Sequence, residues 1–359
     1  MTAAASGLPD VAALRRKVTS VLAGFVEEKA AAAAELRMPT EVTGCLRAFL
    51  ARGGKRLRPL LCVTGWQAAG GEGVPEPVIR TAASLEMFHT FCLIHDDVMD
   101  DSGMRRGAPT LHRQLARHHE HGRSIADAER VGASCATLIG DLALAWSDEL
   151  LHSAALTPAQ LAAVLPLVSA MRSEVMYGQY LDVTTAGHPT TDVERALRIV
   201  RYKTAKYTVE RPLHIGAALA DAPDTVHEAL SAYALPIGEA FQLRDDLLGV
   251  FGTPQETGKP ALDDLREGKH TVLLSLALQT AGAAHREELR RLIGNRELTE
   301  PEAAHVRGIL TGTGARQTVE TMISRRREQA LTALEHPAIT PRARALLYHL
   351  ADSATHRTS

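Results

Sequence analysis

Residues 92–107 read CLIHDDVMDDSGMRRG, an apolar run that empties into Asp96, Asp97, Asp100 and Asp101 and is followed at once by Arg105 and Arg106. Carboxylates crowded this closely repel one another and need a counter-charge: a metal ion, the two arginines, or bulk water. On a helix, at about 100° per residue, Asp96 and Asp100 stand about 40° apart and one turn apart, so both aim into the same space. Asp97 lies about 100° round from Asp96, and Asp101 further still. That suits a hard divalent cation, since Mg²⁺ takes oxygen ligands and is commonly held by one or two carboxylates plus substrate phosphates. The plainer reading is an acidic helix end in water, although the macrodipole disfavours acids at a C-terminus. By itself DDxxD is a weak signal.

A second patch strengthens it. AFQLRDDLLGVFG (240–252) again ends an apolar stretch with paired acids, Asp245 and Asp246, although Gly249 stands where a further acid would complete the pattern. Two acid-bearing helices facing each other across a pocket would bind several Mg²⁺ ions and one polyphosphate between them. Cations accompany the acids. GGKRLRP (53–59) places Lys55 and Arg58 after two glycines, whose backbone can bend close to an anion. It lacks the spacing of a Walker A loop. Arg105 and Arg106 carry guanidinium forks that match phosphate oxygens. YKTAKYT (202–208) adds Lys203, Thr204 and Lys206, and TGKPALDDLREGK adds Lys259 and Lys269. Each cation alone reads as a surface charge; their joint placement around two acid patches is the informative part.

These residues must be positioned by helices. The chain has 359 residues, 45% of them apolar but only 4% aromatic, a balance that favours helices packed on helices. Helical patterning starts at Leu14, Val18, Val21, Leu22 and Phe25, breaks at Gly53–Gly54, and resumes with Pro59 in a first turn. One long helix is expected from Val78 to Asp101. Further helices are expected near 126–152, 158–184, 190–205, 206–221, 224–251, 268–282, 285–294, 300–312, 314–335 and 340–355. No β-type alternation persists. Residues 1–10 read as a loose tail and 11–355 as one all-α domain; the Gly/Pro-rich stretch 252–264 reads as a loop of the kind that carries function. RHHEHGR (117–123) reads as an exposed connection rather than a metal site, and RRRE (325–328) as a solvated helix face.

A formal net charge of −2 gives no global bias toward nucleic acid, so no nucleic-acid partner is expected. Cys45, Cys62, Cys92 and Cys135 form no CxxC pair and read as thiols in a reducing compartment. The N-terminus lacks a signal-peptide pattern, and no apolar stretch reaches the roughly 18–20 residues of a membrane span. A cytoplasmic location is the expectation.

The segments GGKRLRP, EMFHTFCLIHDDVMD, RRGAPTLH, LIGDLAL, GQYLD, KTAKYT, FQLRDDLLGVFG and TGKPALDDLREGKHT, in this order over 53–271, closely resemble the trans-isoprenyl diphosphate synthase (polyprenyl synthetase) family. The resemblance implies an isoprenoid-synthase-type helical bundle around a central deep pocket, a homodimer, and Mg²⁺-dependent head-to-tail condensation of isopentenyl diphosphate with an allylic diphosphate (dimethylallyl, geranyl or farnesyl). It implies three Mg²⁺ ions, two bound through Asp96 and Asp100 with Asp97 in support, and a third through Asp245 beside Asp246. Lys55, Arg58, His89 and Arg106 would hold the isopentenyl diphosphate. Arg105, Lys203 and Lys259 would hold the allylic diphosphate, with Lys269 nearby. Thr204 and Gln242 would present oxygens to the allylic cation. His89, two helical turns before Asp96, falls on the same face, which agrees with a shared pocket. The ions act as Lewis acids on the allylic C–O bond, a pocket closed to water protects the allylic cation, the isopentenyl double bond attacks it, and the departed pyrophosphate accepts the proton. The family usually has DDxxD at the second patch; Gly249 departs from it, which puts the pyrophosphate grip in doubt more than the metal site.

Product length is expected to be read along the helix carrying the first acids. Phe91 lies about 7–8 Å and Phe88 about 12 Å below the metal ligands, sharing a face. In the family, an aromatic five before the motif (Phe91) with a small residue four before (Cys92) resembles the geranylgeranyl (C20) pattern, with farnesyl (C15) as the alternative. The alternative for both phenylalanines is ordinary core packing. A class I terpene cyclase would need an Asn/Ser/Glu triad in place of DDLLG, and would leave Lys55 and Arg58 without a task. A non-catalytic subunit of a heteromeric synthase should have lost acids or cations, and only Gly249 hints at that.

Overall fold

The computed structural model describes residues 10–253 and 262–355. The architecture is nearly all-helical, and the chain divides into two compact units, 1–164 with 216–221, and 165–215 with 222–359.

In the first unit, α1 (Val11–Glu35) starts at Asp10, whose carboxylate accepts from the Ala13 amide at 2.9 Å. The helices α2 (Thr40–Ala51), α3 (Leu57–Ala68), α4 (Glu76–Met99), α5 (Leu111–His118) and α6 (Ile125–His152) follow. Helix α4 is the centre: Val78, Ile79, Leu85, Met87, Phe88 and Ile94 are all nearly inaccessible, as expected of a helix that is apolar all round. It packs along α6 and against α3 and α1. Its end differs from the expected run to Asp101. Asp100 is the cap residue, and Asp101 adopts a left-handed backbone (φ 54°). The Ser102 amide then bonds back to the Asp97 carbonyl at 3.0 Å, the closure typical of a helix stop. Asp101 therefore leaves the helix, and its carboxylate takes Arg113 at 2.7 Å instead. The one departure from all-helical structure among the described residues is a two-residue antiparallel pair, β1 (Met104–Arg105) with β2 (Ala108–Pro109). It closes a tight turn that holds Arg105 and Arg106.

In the second unit, α7 (Pro158–Thr185, shared at its start with the first unit) and α8 (Val193–Ile199) lead into a π-helix, Val200–Glu210, which continues as α9 (Arg211–Leu219). The expected break between two helices at 205–206 is therefore absent; the coil widens there and runs on. Two glycines account for how closely it is packed. A Cβ on Gly178 of α7 would meet the Lys203 amide nitrogen at 2.6 Å, and one on Gly238 would meet the Ala205 Cα at 2.5 Å. Gly238 belongs to α10 (Asp224–Phe251), the central helix of this unit, which packs against the π-helix. After it come α11 (Asp263–Glu267), which starts in the last two residues of the stretch expected as loop (252–264) and runs past its end, α12 (Val272–Thr280), α13 (Ala283–Leu292), α14 (Glu300–Gly312), α15 (Ala315–Ala333) and α16 (Pro341–Thr355). Helix α12 begins later than expected, because Gly268 turns left-handed (φ 67°). Tyr233 of α10 anchors α16 through a 2.8 Å bond to the Leu347 carbonyl.

No described helix is long and apolar enough to cross a membrane. All four cysteines are outside disulfides.

Candidate active site

The first unit assembles an acidic and a basic cluster on and around α4. Asp96 and Asp100 are one turn apart, with the Asp100 amide bonded to the Asp96 carbonyl at 2.9 Å, so the expected shared face holds even though Asp100 caps the helix. Asp97 is buried, and Arg105 from the hairpin donates to it at 2.7 and 2.9 Å while reaching Asp96 at 3.3 Å. Arg105 thus sits directly on the acids.

The basic cluster is built by the loop between α2 and α3. Gly53 and Gly54 take φ of 72° and 147°. The Arg106 guanidinium lies on this backbone, donating to the Gly53 carbonyl, and a Cβ on Gly54 would approach it to 2.8 Å. Arg56, left-handed at φ 47°, is pinned by a buried ion pair with Glu86 of α4 at 2.7 Å and by a bond to the Leu50 carbonyl at 2.8 Å. Arg56 and Glu86 were not singled out by the sequence; a charge pair at a separation of 30 residues carries no local signal. Arg58 is buried and Lys55 exposed. Burial pushes the His89 imidazole well below its ordinary range, and the fields of Arg58, Arg106, Arg105 and Arg56 push the same way. His89 therefore lies within the field of these arginines, a concentration of positive charge suited to an anion.

Toward the start of α4, Phe88 and Phe91 stack with centroids 5.4 Å apart and planes tilted 43°. Phe91 also packs on His95 at 4.6 Å. Cys92 is partly buried. The His95 ring is itself seated on α6, 3.1 Å from the Thr137 carbonyl and 3.3 Å from Asp141, and only Gly140 leaves it room.

The second unit gathers the remaining described candidates. Lys203 of the π-helix pairs with Asp182 of α7 at 2.6 Å. Thr204 donates to Gln242 Oε1 at 2.6 Å, and the Gln242 amide donates to Asp246 at 2.8 Å. Lys206 instead joins Glu174 at 2.9 Å and Glu210 at 3.3 Å. Lys269 pairs with Glu267 at 2.8 Å. Burial pushes the Asp246 carboxyl up to about 7 against the Gln242 hydrogen bond, helped by the charges of Asp264, Asp245 and Asp182. Four acids thus crowd one spot. The space beside Gly249 is taken: a Cβ there would run into the Asp264 carboxylate. The Asp264 carboxylate, from α11, stands where a side chain at position 249 would lie, and sequence reasoning missed it along with Asp182. Lys259 lies outside the described residues.

Comparison with known proteins points to one family. Residues 39–310 match the polyprenyl synthetase family model. A geranylfarnesyl diphosphate synthase of Aeropyrum pernix is 32% identical over 323 residues, 89% of this chain and 95% of the relative. A (2E,6E)-farnesyl diphosphate synthase of Mycobacterium tuberculosis is 32% identical over 301 residues, 83% of this chain and 78% of the relative. Among solved structures, a geranylgeranyl pyrophosphate synthase from Corynebacterium glutamicum, complexed with isoprenyl diphosphate and magnesium, superposes with a TM-score of 0.92 at 40% identity, covering 97% of this chain and 99% of that one. Since the matched span runs through the glycine loop and both acid-bearing helices, the chain belongs to the polyprenyl synthetase family and is a trans-prenyl diphosphate synthase.

Proposed function

We propose that the chain condenses isopentenyl diphosphate with allylic diphosphates up to geranylgeranyl diphosphate (C20). The observation that carries the length is the Phe88–Phe91 stack, with the small Cys92 beside it. A floor one to two turns below Asp96 leaves a slot longer than one blocked by aromatics at both adjacent positions. The name of the Corynebacterium relative favours the same length. The Mycobacterium relative favours C15 instead.

The residues present fit magnesium. Asp96, Asp100 and Asp245 offer carboxylate oxygens only, and Asp246, raised first by burial, also feels the negative charge of Asp264, Asp245 and Asp182, which a hard cation would offset. Three Mg²⁺ ions per site are the proposal; when bound, they supply Lewis-acid neutralisation of the diphosphate leaving group. The chain's own residues do the rest. Arg58, His89 and Arg106, with Lys55, hold the isopentenyl diphosphate, His89 as a neutral donor. Arg105, Lys203 and Lys259 hold the allylic diphosphate, with Lys269 nearby. Thr204 and Gln242, bonded to each other, fix their oxygens toward the allylic carbon. Asp97 and Asp246 orient Arg105 and Gln242 respectively. Phe88 and Phe91 keep water from the growing chain. A homodimer is part of the proposal.

The test is incubation of the purified protein with Mg²⁺, isopentenyl diphosphate and each of the dimethylallyl, geranyl and farnesyl primers, reading product length. A dominant C20 product from all three is expected; a product that stops at C15, or runs mainly to C25, overturns the length.

A further inference from the structure

The histidines of 117–123 take no part in the chemistry above, yet the fold gives two of them a shared partner. Helix α5 ends on His118, His119 is its cap, and their rings stand edge to face with centroids 4.9 Å apart. Both turn to one carboxylate in the first turn of α2. His118 Nε2 lies 3.4 Å from Glu41 Oε1, and His119 Nε2 lies 3.3 Å from Glu41 Oε2. One ligand atom from each residue falls within 4.8 Å of the others.

These separations are long for charge-assisted hydrogen bonds, which run about 2.7–2.9 Å. They run to different oxygens of the one carboxylate, and each is close to the roughly 3.3–3.4 Å that separates donors held about 2.0–2.1 Å from one zinc ion. Two imidazoles and a carboxylate form a donor set that suits zinc and its neighbours, whereas Mg²⁺ selects oxygen alone. The carbonyl end of α5 adds negative potential at the same point. Side-chain exposures of 67% for His118, 28% for His119 and 31% for Glu41 leave an entry path and a fourth position for water.

We propose that Glu41, His118 and His119 form a Zn²⁺ site, separate from the aspartates of the reaction, that ties α2 to the end of α5. The tie has a structural consequence. Helix α2 runs into the loop of Gly53, Gly54 and Arg56, and α5 follows directly on the hairpin of Arg105 and Arg106. A metal clamp holds together the two segments whose far ends meet at the Arg106–Gly53 contact.

The test uses the full chain, stripped with chelator and kept in saturating Mg²⁺ so that the aspartates are occupied, then titrated with Co²⁺. One Co²⁺ per chain with the intense visible absorption of four-coordinate cobalt is expected, displaced by Zn²⁺. Glu41→Gln, and the double variant His118→Ala/His119→Ala, should each weaken cobalt binding by more than about tenfold. Zinc should raise the melting temperature of the parent chain by several degrees and leave that of the double variant unmoved, with Mg²⁺-dependent turnover retained in both variants. Cobalt binding unchanged in the variants, or only the faint spectrum of six-coordinate cobalt in the parent, overturns the site.

Discussion

Arg105 grips Asp97 through both carboxylate oxygens, its Nε at 2.7 and 2.9 Å, and touches Asp96 with an outer nitrogen at 3.3 Å. The second aspartate of the first patch therefore faces a guanidinium, while Asp96 and Asp100 share the face one turn apart. This separates the roles of neighbouring acids: Asp97 sets where Arg105 stands, and Arg105 brings positive charge to the edge of the metal-type pair. Removing Asp97 leaves a mostly buried cation without its main partner, which costs about 3–5 kcal/mol. Asp97→Ala should therefore lower unfolding free energy by roughly that amount in denaturant titration. It should also raise KM for the allylic diphosphate, as Arg105 is no longer held.

Restoring the usual DDxxD at the second patch should harm the protein. The Asp264 carboxylate occupies the volume a side chain at position 249 needs. Gly249→Asp should displace Asp264 and place another negative charge beside Asp246, reducing turnover. Asp264→Ala should lower Mg²⁺ affinity in turnover assays, and Asp245→Ala should reduce turnover by orders of magnitude. Full activity in Gly249→Asp would show that Asp264 moves aside without consequence.

Gly54 combines a φ of 147° with direct contact to the Arg106 guanidinium. Gly54→Ala strains the backbone and pushes the guanidinium off the loop. KM for isopentenyl diphosphate should rise while KM for the allylic substrate changes little; equal change in both would point to general unfolding of the loop.

Product length should respond to the aromatic stack. Phe91→Ala opens the upper layer, and Phe88→Ala the lower. Both should shift the product distribution beyond C20, seen by chromatography of the dephosphorylated alcohols. Phe88 is fully buried, so its truncation also costs about 3–5 kcal/mol. Unchanged length in both variants would leave the pair as core packing only.

Burial holds the His214 imidazole down at about 4 against the pull of Glu210, with His227 and Arg211 acting in the same direction as burial. Its Nε2–H is shared between the His227 carbonyl (3.1 Å) and Ser231 Oγ (3.0 Å), and Ser231 donates onward to Glu210 at 2.8 Å. The folded pKa lies below the ordinary value of 6.5, so the unfolded chain binds the extra proton between those limits. Stability from this group is whole above about pH 6.5 and is lost as pH falls toward 4, on the order of 3 kcal/mol in total. His214→Gln, which keeps a donor without titrating, should flatten the pH dependence of unfolding free energy over that window by up to one proton. An identical slope would place the acid sensitivity in other groups.

Much of this was legible in the residues themselves. The apolar run of 78–94 demanded a buried helix, the one-turn spacing of Asp96 and Asp100 a shared face, and the 224–251 pattern a single helix whose bounds the structure matches. These follow from helical periodicity, which is local and holds wherever the chain goes. The π-helix was not legible, because its packing depends on the missing side chains of Gly178 and Gly238, on helices that precede and follow it in sequence.

The sequence alone determined which groups exist and how they are spaced along each helix: paired acids, glycine-flanked bases, and two aromatics on one face. Only tertiary structure decided their partners. It turned Asp101 away to Arg113, set Arg105 on Asp97, filled the place beside Gly249 with Asp264, and brought Glu41 to His118 and His119. The physical reason is range. Backbone hydrogen bonding repeats every few residues and is written in the local pattern, whereas charge pairing and close packing depend on distance in space, which residues far apart in the chain acquire only once it has folded.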